Sequence, residues 1–171
     1  MLKRVTVLGL MLSGYIKHLR EKVGKEKILM PTNACIIINE QGHILMQERA
    51  VQKNWGCPGG LMDLEETVLE GVKREVLEET GLEIRNPVLF GIYSGMPHYE
   101  ATYPNGDMTQ SVLMVFLARN FSGQLKSDEE SLTLKFFPLD NLPQPLNKHH
   151  AEYLGHYQEY VAGKKEIPII L

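Results

Sequence analysis

The chain has 171 residues, 43% of them hydrophobic and 23% charged, which suits one ordinary globular domain with enough core to fold alone. A net charge of -3 provides no basic field, so a DNA or RNA duplex is excluded as a partner held by bulk charge. The two cysteines, Cys35 and Cys57, make neither a metal spacing nor a disulfide framework, and a reducing cytoplasmic setting is expected.

In chain order, Lys3 and Arg4 precede an apolar run from Val5 to Leu12. This imitates a signal peptide but is short and lacks an A-x-A-like site. A start at Met11, or a strand pairing with the core, is the expectation. No stretch reaches the length of a membrane span, so no membrane partner is expected. "SGYIKHLREKVG" reads as a short helix capped by Ser13, with Ile16, Leu19 and Val23 on one apolar face and Gly24 at its end. Residues 1–30 are read as an extension packed on a single domain of residues 31–171. "KEKILMPTN" reads as a spacer and "ACIIIN" as a buried strand. "NEQG" is a turn, and "HILMQER" returns as the second strand of a hairpin.

"AVQKNWGCPGG" is a loop, with Pro58 to stiffen it and Gly59–Gly60 to let backbone approach a ligand. A helix follows, then strands at Leu82–Ile84 and Val88–Tyr93 separated by "RNP". The polar loop from Ser94 to Gln110 is long for a connection and is expected to be functional. "SVLMVFLARNF" is the strongest strand pattern; the loop "SGQLKSDEES" and the strand "LTLKFF" come next. After "PLDNLPQPLN", a helix is expected near His149–Ala162, with Tyr153, Leu154, Tyr157 and Val161 at helical spacing. The pattern is that of a single mixed α/β domain.

The stretch "DLEETVLEGVKREVLEETGL", which contains the helix, holds seven of the chain's 21 acidic residues. Thr67 and Glu70 form a T-x-x-E capping box, and Gly81 stands where a left-handed residue ends a helix. At about 100° per residue, Val68, Leu69, Val72 and Val76 share the core face, while Glu70 and Lys73 face solvent and an i,i+4 pair between Glu70 and Arg74 is expected. Glu75, Glu78 and Glu79 crowd the C-terminal turn, with Glu79 at the apolar edge. Carboxylates there oppose the helix dipole and one another. A solvated acidic face does not explain three of them bordering the core, whereas hard oxygen ligands for a divalent cation do.

Gly60, five residues, Glu66, seven residues, then "REVLEETGL" resembles the signature of the Nudix hydrolase family, G-x5-E-x7-R-E-U-x-E-E-x-G-U with U aliphatic. Arg74, Glu75, Val76, Glu78, Glu79, Gly81 and Leu82 occupy the remaining fixed positions. The resemblance covers about residues 32–140. It implies an α/β/α sandwich around a mixed β-sheet and Mg²⁺-dependent (or Mn²⁺-dependent) hydrolysis of a diphosphate linked to another group. By position, Glu75, Glu78 and Glu79, with the Gly59 carbonyl, would hold the metal. Arg74 would orient Glu75, and Glu66 would support the site with Gly60. Glu75 is the first candidate for the general base and Glu79 the second. Asp128, Glu129 and Glu130 offer an extra carboxylate before a strand, and Arg49 is a candidate phosphate ligand. One departure concerns Glu65 and Leu64, where many members carry glycine and proline.

Tyr93, His98, Tyr99 and Tyr103 are candidates to stack a base. Pro97 and Tyr99 correspond to markers of two different substrate subclasses, so neither decides. The leading reading is an ADP-ribose-like substrate. The alternatives are a triphosphate pyrophosphohydrolase acting on oxidised or noncanonical nucleotides, and a module that senses a nucleotide without cleaving it. The aromatic C-terminal helix or the apolar N-terminal run could serve a homodimer, with intrachain packing as the default.

Overall fold

In β1 (Ile28–Ile37), successive side chains enter two different apolar layers. Ala34 and Ile36 point into one layer, and Cys35 and Ile37 into the other, as the two-residue period of a strand requires. A strand with both faces covered reads as the continuous apolar run seen here. The computed structural model describes residues 14–95, 99–103, 105–127 and 131–171.

β1 pairs in parallel with β7 (Met108–Ala118), which pairs antiparallel with β5 (Val88–Tyr93) and with β6 (Glu100–Thr102). β10 (Ile169–Ile170) runs parallel to β5 at the far edge, so the sheet is mixed. A second, antiparallel sheet holds β3 (Trp55–Gly56), β2 (Ile44–Arg49) and β9 (Ser131–Phe137) in that order. β4 (Leu82–Arg85) and β8 (Asn120–Gly123) form a separate pair. Tyr153, Leu154 and Tyr157 of α3 (Lys148–Val161) fill one layer with Phe90 and Val115. Val72 and Val76 of α2 (Val68–Thr80) fill the other with Leu82, Ile84 and Phe116. The arrangement is the expected α/β/α sandwich around a mixed sheet.

Several local expectations change. The "KEKILMPTN" spacer is largely strand, because β1 is in register with β7 from Ile28 onward. The β1–β2 hairpin is reduced to one bridge, Ile38 to Ile44, and the two strands diverge into different sheets. The turn itself forms, tied by Asn39, whose side chain accepts from Gln41 and His43. In α1 (Gly14–Val23) only Ile16 is buried, so the expected three-residue apolar face is absent. On α2, Leu69 is exposed and Val68 only partly buried, leaving Val72 and Val76 as its anchors. The Glu70–Arg74 pair does not form; Glu70 is turned back onto Thr67. Val161 is exposed at the end of α3. The 94–110 connection contains β6. Ser13, the Val5–Leu12 run and Met11 lie outside the described residues.

Candidate active site

Pro58, Gly59 and Gly60 run as a strap along the outer edge of β1. Asn33 N–H donates to the Gly60 carbonyl and Cys35 N–H to the Pro58 carbonyl, both at 2.9 Å. The strap must be thin on both sides. A Cβ on Gly59, whose φ is 148°, would lie 2.3 Å from the Asn33 carbonyl oxygen, and one on Gly60 would lie 2.6 Å from a Glu75 carboxylate oxygen. The glycines therefore bring backbone directly against the acidic helix.

The ends of α2 are set by local chemistry. Thr67 Oγ1 accepts from Glu70 N–H at 3.3 Å, and Glu70 Oε2 accepts from Thr67 N–H at 2.8 Å, completing the capping box. Gly81 closes the helix in the left-handed region, φ 73°. Between these stops the helix presents Arg74, Glu75, Glu78 and Glu79 to the strap.

Arg74 is the hub. Its Nε donates to Glu66 Oε2 and its Nη2 to Glu66 Oε1, each at 2.9 Å. Its Nη1 reaches Glu75 Oε1 at 2.9 Å and Glu78 Oε2 at 3.2 Å, and its Nη2 also donates to the Leu61 carbonyl at 3.0 Å. Glu66 accepts a further bond from Asp63 N–H at 2.7 Å. The Arg74 bonds, with that from Asp63, hold the Glu66 carboxyl below its ordinary range, while the carboxylates raise the guanidinium further. Gly71 leaves room for Glu66, since a Cβ there would meet Glu66 Oε1 at 2.7 Å.

Glu79 sits differently. It is 4% exposed and accepts from Gly59 N–H at 2.7 Å. Burial pushes its carboxyl up to about 8, against the opposing pull of Arg49 and the Gly59 N–H. Arg49, at the end of β2, donates from Nη2 to the Gly59 carbonyl at 3.1 Å.

Glu75, Glu78, Glu79 and Gly59 line one cleft of about 850 Å³. Among the described residues no three His, Cys, Asp or Glu side chains stand in a metal-holding arrangement, and Arg74 bonds both Glu75 and Glu78. The donor set nonetheless fits a hard divalent cation, because it is made of carboxylate and carbonyl oxygens. Beside such an ion, attraction to the cation would offset the cost of burying the Glu79 carboxylate.

Arg49, Tyr99 and Tyr103 line the same cleft. Tyr93 does not: it is fully buried in the α3-side layer, its ring stacked on His156 and its hydroxyl 3.2 Å from His156 Nδ1. Tyr99 is 3% exposed and donates its hydroxyl to Glu152 Oε2 at 2.7 Å, so it serves the wall more than an open face. His98, Pro97, Asp128, Glu129 and Glu130 lie outside the described residues. Sequence reasoning missed Asn33 and Gln47. Asn33 is 2% exposed, with neither amide atom bonded to protein, and its Nδ2 lies toward Gly71 of α2. Gln47 is fully buried and donates to Ser131 Oγ at 2.7 Å. Each is an amide at the border of an apolar strand run, which gives no local sign that it is buried.

Residues 29–157 match the family described as NUDIX domain. ADP-ribose pyrophosphatase from Methanocaldococcus jannaschii is 34% identical over 131 residues, covering 74% of this chain and 72% of that protein. 8-oxo-dGDP phosphatase from Homo sapiens is 30% identical over 144 residues, covering 80% of this chain, which spans only 41% of that relative's length. The crystal structure of the MutT NUDIX hydrolase from Burkholderia pseudomallei superposes with a TM-score of 0.64 at 31% identity, covering 75% of this chain and 97% of that one.

Proposed function

This chain belongs to the Nudix hydrolase family, and from that premise we propose that it hydrolyses the diphosphate bond of a nucleoside diphosphate linked to another moiety, of the ADP-ribose type. The observation that carries the reading is the Glu66–Arg74–Glu75 chain of bonds, which holds Glu75 against the Gly59–Gly60 strap in the cleft that Arg74 and Glu75 line. Nudix hydrolases generally use a divalent metal; Glu75, Glu78, Glu79 and the Gly59 carbonyl would hold Mg²⁺ or Mn²⁺ here. When bound, such an ion neutralises phosphate charge and lowers the pKa of water.

The chain's own residues supply the rest. Arg74 holds one Glu75 oxygen and so sets the direction of the other, beside Gly60. Glu75 takes the proton of the attacking water as the new P–O bond forms and the bridging P–O bond breaks. Glu79, deeper and against Gly59, is the second candidate for that proton. Arg49 reaches the cleft from β2 as the candidate cation for a phosphate oxygen of the substrate. The similarity to an ADP-ribose pyrophosphatase at 34% identity favours a substrate with a second group on the diphosphate.

The similarity to an 8-oxo-dGDP phosphatase supports a second reading, hydrolysis of oxidised or noncanonical nucleotides. A substrate panel with Mg²⁺ and with Mn²⁺, followed by product analysis, separates the two. Nucleoside monophosphate plus a sugar phosphate supports the first; monophosphate with inorganic phosphate or pyrophosphate supports the second. Turnover of none of these substrates counts against both.

A further inference from the structure

α1 precedes the family-matched residues 29–157, yet it forms part of the wall of the cleft that contains the glutamates. Ile16 is its one buried residue, 3% exposed, and among the described residues it belongs to neither core layer. Its place is on the cleft, which Met30, Tyr103 and Leu113 also line.

What fixes this helix is polar. Arg20 Nη2 donates to the Met108 carbonyl at 2.7 Å, while Nη1 donates to the carbonyls of Glu26 at 2.7 Å and Gly24 at 3.1 Å. Its Nε lies 3.5 Å from Asp107 Oδ2, with the Arg20 side chain only 10% exposed. Each guanidinium nitrogen thus has a protein partner, and Arg20 acts as a bolt between α1 and the β6–β7 turn. Lys27 adds a pair with Glu100. A helix held on by its apolar face would bury more than one side chain. Here ordered hydrogen bonds place a single isoleucine at a cleft wall.

We infer that α1 is a specificity element, with Ile16 backing the cleft wall beside which the nucleobase of the substrate lies and Arg20 fixing its position. This rests on the nucleotide reading above. The two walls differ in chemistry. Arg49 and the glutamates suit phosphates with their cation. At the α1 end the buried Ile16, Met30 and Leu113 back the wall, and the charges there, Arg20 and Asp107, are paired with each other, which suits an uncharged ring better than a phosphate. A cleft of 850 Å³ lies in the upper part of the roughly 300–1,000 Å³ range of ligand sites, enough for both ends of a nucleotide.

The test compares full-length wild type, Ile16→Trp and Arg20→Ala on the best nucleotide of the substrate panel. Calorimetric titration with the nucleoside monophosphate it releases, and with ribose 5-phosphate, compares the ligand with and without its base. In Ile16→Trp, KM is expected to rise about tenfold with kcat within about threefold. Monophosphate affinity should fall about tenfold and ribose 5-phosphate affinity less than about twofold. Arg20→Ala, which frees the helix without adding bulk, should shift the same quantities by about threefold or more in the same direction. Monophosphate affinity within about twofold of wild type in the folded variants, or an equal loss for both ligands, overturns the inference. Absence of turnover by the wild-type protein overturns instead the reading beneath it, so the two failures are told apart by the wild type alone.

Discussion

Glu66 and Arg74 meet as a parallel fork, Oε2 on Nε and Oε1 on Nη2, both at 2.9 Å. That geometry fixes the guanidinium plane, and with it the Nη1 that reaches Glu75. Lysine cannot reproduce the fork. Arg74→Lys is expected to lower kcat/KM by roughly 10–100-fold, the usual cost of losing a group that orients a ligand residue. The pair is partly exposed, so the stability loss should be about 1 kcal/mol or less. Steady-state kinetics beside urea unfolding check both halves; wild-type turnover in the variant would remove Arg74 as the hub.

Glu75→Gln keeps the shape of the side chain and removes its basicity. Turnover with Mg²⁺ is expected to drop by about 10²–10⁴-fold if Glu75 takes the proton, with circular dichroism unchanged. The same substitution at Glu79 ranks the two candidates. A larger loss at Glu79 than at Glu75 would exchange their roles.

The pH dependence of the metal-free protein should bear the mark of Glu79. Its folded value, about 8, lies above the reference of 4.5 because burial disfavours the charge. Between those values the native state keeps a proton that the unfolded chain has lost, so stability falls as pH rises through that window. His150, buried and held well below 6.5, acts with the opposite slope on the acid side. Urea unfolding in a chelator, from pH 5 to about 8, should therefore show wild type losing stability relative to Glu79→Gln. Divalent cations should bind more tightly as pH rises toward 8 and release a proton on binding, read by calorimetry in buffers of different ionisation enthalpy. A difference curve that is flat with pH would sink this assignment.

Glu65 adopts φ 67°, a left-handed conformation. That conformation costs a residue with a Cβ roughly 1–2 kcal/mol, and glycine returns about 0.5–1 kcal/mol of it through the freer unfolded chain. Glu65→Gly is expected to stabilise by up to about 1 kcal/mol and to leave turnover near wild type, as Glu65 is exposed. Destabilisation in chemical denaturation would show that the glutamate side chain makes up the strain.

The glycine common in relatives of this signature at that position is thus explained by backbone geometry. It also shows which kinds of fact were legible in sequence. Both ends of α2, and the alignment of Glu75, Glu78 and Glu79 along one edge, followed from short-range rules of capping and helical period. The Arg74–Glu75 bond was expected from the resemblance and forms, but the fork to Glu66 did not follow from helical spacing, because Thr67 captures Glu70 and leaves Arg74 to the distant Glu66. Tyr93 was misread for a similar reason. A register shift between Leu89 and Gly91 resets the alternation of β5, so Phe90 and Tyr93, three apart, enter the same layer. The "NEQG" turn signalled a reversal of the chain, but nothing local said that β1 and β2 would part into separate sheets. The apolar face read from Ile16, Leu19 and Val23 in α1 did not form, because long-range hydrogen bonds from Arg20 set the place of the helix.

The strap of Pro58, Gly59 and Gly60 has a second consequence. β1 ends its sheet, and without the strap its outward N–H groups at Asn33 and Cys35 would form an unpaired row on which another chain can grow. The loop that shapes the candidate active site is also what caps that row. Damage to Gly59 would therefore do more than silence the enzyme: it would uncover a growing edge, and an inactive protein of this type should also be a sticky one.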